Sequence, residues 1–206
     1  MKRKIFITLA ILALAWIVYR AYRIATTRSH SPKETVAFNN NGLEISVTYS
    51  RPYKKGRQIF GEAKDRALLP KGKFWTDGFR ILTGLPRTKG ALVPNGIYWR
   101  LGANDATEIS FNKNIDFAGK PVNAGRYRMY AVPNQDTWDV ILNSELGKFG
   151  YHEADHSFDV VTAKVPVEIN PLEMEQFTIS FNEDSSGLKM NFAWDKTLVK
   201  VPLRLP

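Results

Sequence analysis

The sequence predicts an all-β protein: an antiparallel β-sandwich, of which a jelly roll is one arrangement, preceded by one N-terminal transmembrane helix. Three observations predict it. Apolar and polar residues alternate through TEISF (107–111), RYRMYAV (126–132) and TWDVIL (137–142), the period of half-buried strands. Gly102, Asn104, Gly119, Pro121, Gly125, Pro133 and Asn134 punctuate those runs, residues that turn a chain at low steric cost. The one long apolar run, Ile5 to Tyr19, stands at the amino terminus behind Lys2-Arg3-Lys4.

That run comes first in the chain. As a helix, Ile5–Tyr19 covers about 22 Å, short of a hydrocarbon core of about 30 Å. The apolar pattern continues through Ala21, Tyr22 and Ile24, while Arg20 and Arg23, three apart on one face, can snorkel to headgroups. Residues 5–24 then reach about 30 Å, enough to cross the lipid bilayer once, with Ile5, Trp16, Tyr19, Arg20 and Arg23 as anchor residues. The competing reading is a cleaved signal peptide, because Ala13-Leu14-Ala15 has the small-x-small pattern. Trp16-Ile17-Val18-Tyr19 keeps the segment apolar beyond that point, which favours an uncleaved signal anchor. Basic residues flank the run on both sides, so their count hardly sets topology. The signal-like character of residues 1–19 places the domain outside the cytoplasm. Residues 1–25 are thus the anchor, 26–34 a polar linker and 35–206 the domain.

Within the domain, Leu43–Tyr49 alternates cleanly, with Leu43, Ile45, Val47 and Tyr49 inward. Residues 62–90 break the rhythm as a basic, irregular insertion. In it Ala67–Trp75 resembles Ala91–Trp99, too few copies for a solenoid. Ser144–Ser157 reads as a loop. Phe158–Val167, Glu175–Phe181 and Leu188–Trp194 read as strands, and Asn182–Gly187 joins the last two as a hairpin. Thr197–Leu205 reads as a final strand, where Pro202 favours an edge.

Composition excludes some classes. The chain has no cysteine, hence no disulfide scaffold and no thiolate metal site. Its net charge of +9 is uneven: +7 over 1–33, −2 over 34–50, +8 over 51–90 and −4 over 91–206. Basicity confined to an anchor and one segment, without a recognisable binding fold, argues against a nucleic-acid partner. The 51–90 segment instead suits an acidic partner or a membrane-protein complex.

Several motifs occur in order: Tyr49-Ser50-Arg51-Pro52, Lys55-Gly56-Arg57-x-Ile59-Phe60-Gly61, and Leu92-Val93-Pro94-x-Gly96-x-x-Trp99-Arg100-x-Gly102-Ala103-Asn104. Ala124-Gly125-x-Tyr127, Trp138-x-Val140-Ile141-Leu142-Asn143 and Phe177–Phe181 follow. Together, over about residues 43–203, they resemble the bacterial domain-of-unknown-function family numbered 2911. The resemblance implies an exported bacterial protein and no established activity. This chain departs from the family in its uncleaved anchor and in the segment 62–90.

Arg51, Arg57, Arg100 and Asn104 are the polar members of the strongest motifs. They could converge on an anionic or sugar-like ligand, since guanidinium presents a planar donor fork. The competing reading has them satisfying backbone groups and pairing with acids. His152 and His156 have the i,i+4 spacing of two metal ligands on a helix, but no third ligand is evident and a solvated loop is the simpler reading. Trp75, Trp99, Trp138 and Trp194, with Tyr98, Tyr127 and Tyr130, could stack on carbohydrate. Trp138 and Trp194 sit in alternating strands and belong by default to the core, and Trp75 is the aromatic expected at the surface. No catalytic constellation emerges and no cofactor is implied. The expected function is therefore a non-catalytic accessory subunit or binding module. It would be anchored in the bacterial inner membrane with its domain in the periplasm. The alternative is an envelope enzyme or carbohydrate-binding module with its site near Arg51, Arg100 and Asn104.

Overall fold

The computed structural model describes residues 2–26, 30–63, 90–150 and 152–206. Among the described residues, helix α1 (Lys2–Thr26) is followed by eleven strands. These are β1 (Lys33–Asn40), β2 (Leu43–Ser50), β3 (Phe60–Gly61), β4 (Val93–Pro94), β5 (Thr107–Phe111), β6 (Ile115–Phe117) and β7 (Lys120–Val122). The last four are β8 (Gly125–Pro133), β9 (Thr137–Asn143), β10 (Asp159–Asp184) and β11 (Gly187–Arg204). The expected all-β architecture is present, with two differences. A strand not read from the sequence, β1, precedes Leu43–Ser50 and takes in Lys33, which pairs with Ser50. The strands read separately between Phe158 and Leu205 are two long ones, 26 and 18 residues.

Nine strands form one sheet in the order β1-β2-β5-β8-β9-β10-β11-β6-β7. It folds over on itself about β10. The first part of β10 pairs with β9 (Pro166 opposite Thr137), and from Val167 onward β10 pairs with β11 (Val167 opposite Val199). One strand thus serves both layers, and their inner faces share a single core. Leu43, Ile45, Val47 and Tyr49 are all buried, as the alternation required. They face residues such as Phe177, Ile179 and Phe192 of the opposite layer, and the Tyr49 ring meets Phe177 edge-on at 5.6 Å. Pro202 lies beyond the last β10–β11 pair, on a stretch of β11 that pairs instead with β6.

Two loops close one end of the sandwich. Residues 51–61 and 91–106 meet in a short parallel pair, Phe60 with Val93 and Gly61 with Pro94. Ala63 bridges Gly90, so the two ends of the basic insertion lie side by side. The insertion itself, including Trp75, falls almost wholly outside the described residues, as does its expected contact with a partner.

Most side chains of α1 are exposed, Phe6, Leu12 and Tyr22 among them. Among the described side chains, the exposed and mostly apolar surface runs from Phe6 to Tyr19, about 21 Å of helix, before Arg20 interrupts it. Among the described residues no helix is long and apolar enough to cross a membrane. By itself α1 does not establish the span expected from Ile5, Trp16, Tyr19, Arg20 and Arg23.

The closed end depends on Gly102. Its φ is +144°, and a Cβ there would lie 2.5 Å from the Ser50 carbonyl oxygen. Gly102→Ala is expected to cost at least about 2 kcal/mol. A lower urea midpoint with an unchanged slope would show it, and an unaltered midpoint would contradict this account of the turn.

Candidate functional site

The four residues of the sequence motifs lie at the closed end, where the chain arriving from α1 enters the sheet. Arg51 spends its fork on the protein. Nη1 pairs with Glu34, Nε donates to the Phe177 carbonyl (3.2 Å) and Nη2 donates to Thr178 Oγ1 (2.9 Å). Arg57 Nε donates to the Lys54 carbonyl at 2.9 Å, closing its own loop. Arg100 Nη1 reaches the Asn104 carbonyl at 3.3 Å, and Asn104, at φ +55°, donates to the Ser31 carbonyl at 3.4 Å. Arg51 and Arg100 belong to neighbouring loops, since Ala103 N–H donates to the Ser50 carbonyl. Their observed partners are this chain's own groups, and their joint effect is to lock loop to strand. Beside them an open depression of about 350 Å³ is lined by Lys33, Asp105, Glu108, Arg126, Lys148 and Phe149 among others.

A second polar group lies on the outer face of β8 and β9, beneath residues 144–158. Strand β8 buries both faces over Tyr127–Ala131. Tyr127, Met129 and Ala131 join the main core, while Arg128 and Tyr130 face the covering segment. Arg128 is 1% exposed. Its Nη2 donates to Tyr98 Oη (2.5 Å) and the His152 carbonyl, Nη1 lies 3.5 Å from Glu145, and Nε has no partner. The guanidinium also lies 5.7 Å from the Tyr98 ring centroid. A cation so deep persists only when acceptors, opposite charge and ring face compensate its lost hydration.

Tyr130 Oη is 2.8 Å from both carboxylate oxygens of Asp159 and 2.8 Å from His156 Nδ1. Asn143 donates to Asp159 (2.8 Å) and to the Asp155 carbonyl, tying strand to cover. Burial, then the Asp159 hydrogen bond, raises the Tyr130 pKa well above its ordinary value. Tyr130 therefore remains a phenol that donates to Asp159. Burial likewise raises Tyr98. Asp159 also borders an open depression of about 430 Å³ with Lys120 and Thr162.

Residues His152 and His156 separate in this arrangement. His156 sits in a 3₁₀ turn (His156–Phe158), its ring between Glu153 (3.4 Å) and Asp159 (3.2 Å), whereas the His152 backbone receives Arg128. Among the described residues no group of three or more His, Cys, Asp or Glu side chains is arranged to hold a metal. Sequence reasoning missed Arg128 because it occupies the polar phase of an alternating strand, which ordinarily faces water. The one available signal was Tyr130, an aromatic in that same phase.

The family model described as Protein of unknown function (DUF2911) matches residues 31–89 and 86–203. The chain belongs to this family. Comparison with curated proteins and with solved structures gave no match. The family match runs through both loops of the closed end and the buried Arg128–Tyr130 face, and begins just after α1.

The phenols give a pH dependence of definite sign. The folded pKa of Tyr130, like those of Tyr49 and Tyr98, lies above the ordinary 10.0, so the unfolded chain loses these protons first. Their contribution is full below pH 10.0 and falls as pH rises beyond it. Stability measured by urea at increasing alkaline pH should decline, more gently in Tyr130→Phe. That variant should itself cost about 1–2 kcal/mol near neutrality. An identical slope in the variant would contradict the raised pKa of Tyr130.

Proposed function

We propose that this protein is a non-catalytic accessory subunit or binding module, held by α1 in the bacterial inner membrane with its β domain on the periplasmic side. The observation that carries this reading is the surface of α1. Phe6, Ile7, Leu9, Ile11, Leu12, Leu14 and Ile17 are all about half exposed or more, and together they are spread around the helix. In water each such side chain forgoes about 25 cal/mol for every Å² of apolar surface left uncovered. Helices that lie along a lipid interface carry a strongly polar face, which α1 lacks between Phe6 and Tyr19. Arg20 and Arg23 beyond it can extend their stems along the hydrocarbon and leave their charges among headgroups, lengthening the tolerated span. Support for a non-catalytic role comes from the family's polar motif residues, whose observed bonds fix loops to the sandwich.

Fractionation of cells tests the anchor. The full chain is expected in membranes after alkaline carbonate washing, and a chain lacking residues 2–26 is expected in the soluble periplasmic fraction. Protease added to spheroplasts should digest the domain of the full chain. Carbonate-soluble full-length protein, or a mature chain beginning after Ala15, would defeat the proposal.

A further inference from the structure

Resting on that membrane reading, we infer that the closed end of the domain touches the same bilayer. The contact is a protruding knuckle in β10, whose Ile169 and Leu172 enter the interfacial layer of the lipid. Between Ile169 and Met174, β10 advances five residues while β11 advances only from Thr197 to Asp195. The surplus residues are expelled from the ladder as a bulge. Ile169 and Leu172 are 85% and 71% exposed, the most exposed large apolar side chains of the described β domain. Elsewhere in the sandwich apolar side chains of this size are mostly turned into one core.

The knuckle is braced from below, so this exposure is built in. Leu172 N–H donates to Asn170 Oδ1 across the tip. Lys54 bonds both Glu173 (2.6 Å) and Asp195 (2.6 Å), and these carboxylates, Asp195 foremost, push its pKa up to about 12. The Lys54 and Lys55 N–H groups donate to the backbone and side chain of Glu175. The knuckle and the Lys54-Lys55-Gly56-Arg57 loop are thereby one unit. Lys55, Arg57 and Lys196 are exposed around it, suited to phosphate groups at the depth where Ile169 and Leu172 would leave water.

Chain geometry brings this end to the bilayer. Six residues separate Thr26, the last of α1, from Lys33, the first of β1. The seven steps from Thr26 to Lys33, at about 3.5 Å each, reach about 25 Å. The chain then enters the sheet at the knuckle's end: Arg51 N–H donates to the Pro32 carbonyl, Arg51 binds Phe177 and Thr178, and Tyr53 bridges Gln176. The hairpin at Ser185 lies toward the other end of β1, where Asn40 bonds Glu183. A bilayer that receives α1 therefore lies within reach of Ile169 and Leu172 and farther from Ser185.

Because the chain has no cysteine, single sites can be labelled cleanly. Full-length Leu172→Cys, Ile169→Cys, Ser185→Cys and Leu12→Cys would each carry an environment-sensitive fluorophore. They would be reconstituted in vesicles of phosphatidylcholine and phosphatidylglycerol, with lipids spin-labelled near the headgroup or deep in the chains. The inference expects blue-shifted emission and quenching by the shallow label at 172 and 169, and water-like emission at 185. Water-like emission at 172 and 169 would overturn it. So would a blue shift without lipid quenching, which means a protein cover, and so would equal quenching at 185. Leu12→Cys separately tests the anchor: deep quenching there with a wet knuckle leaves the anchor standing and removes only this contact. Quenching at 172 without quenching at 12 keeps the contact and removes the anchor.

Discussion

The structure depends on an aromatic wedge where its two layers meet the closing loops. The Trp99 ring lies 5.6 Å from Phe60, 5.5 Å from Trp138, 4.9 Å from Phe177 and 5.9 Å from Trp194. Trp138 comes from one layer, Phe177 and Trp194 from the other, and Phe60 and Trp99 from the two loops. Large rings meeting mostly edge to face combine extensive apolar burial with favourable quadrupole contacts. An irregular loop would otherwise have little reason to stay closed. Here Phe60 and Trp99 nail both loops to the core, and the short β3–β4 pair forms between them.

Once the loops are fixed, their polar residues have defined work. A buried turn must satisfy its backbone groups, and Arg51, Arg57, Arg100 and Asn104 do much of this at the closed end. Gly150 extends the same locking to the outer cover, because a Cβ there would lie 2.7 Å from the Ala106 nitrogen and from Arg100 Cδ. The cover in turn buries Arg128. The motif that looked like a ligand fork and the cluster that escaped notice are thus mechanically connected.

This connection gives the molecule a direction. The strand ends at Asn40 and Asp184 are held by ordinary hairpins, with Asp184 capping Ser186 N–H at 2.8 Å. The opposite end gathers the incoming chain, two family loops, the junction of the insertion and the β10 bulge.

The sequence by itself determined the class of the fold, because period-2 alternation is a local property: Leu43, Ile45, Val47 and Tyr49 are inward whatever they pack against. It also determined that Trp138 and Trp194 are core, and it carried the family in ordered motifs; that Trp99 joins them was visible only in the structure. It could not give the single folded-over sheet, since β10 changes neighbours at Val167 through pairings with residues far along the chain. Nor could it show that Arg128 and Tyr130 are buried. Alternation says only that they oppose Met129. Whether that opposite face meets water was decided by residues 144–158, which fold over it through contacts that exist only in three dimensions.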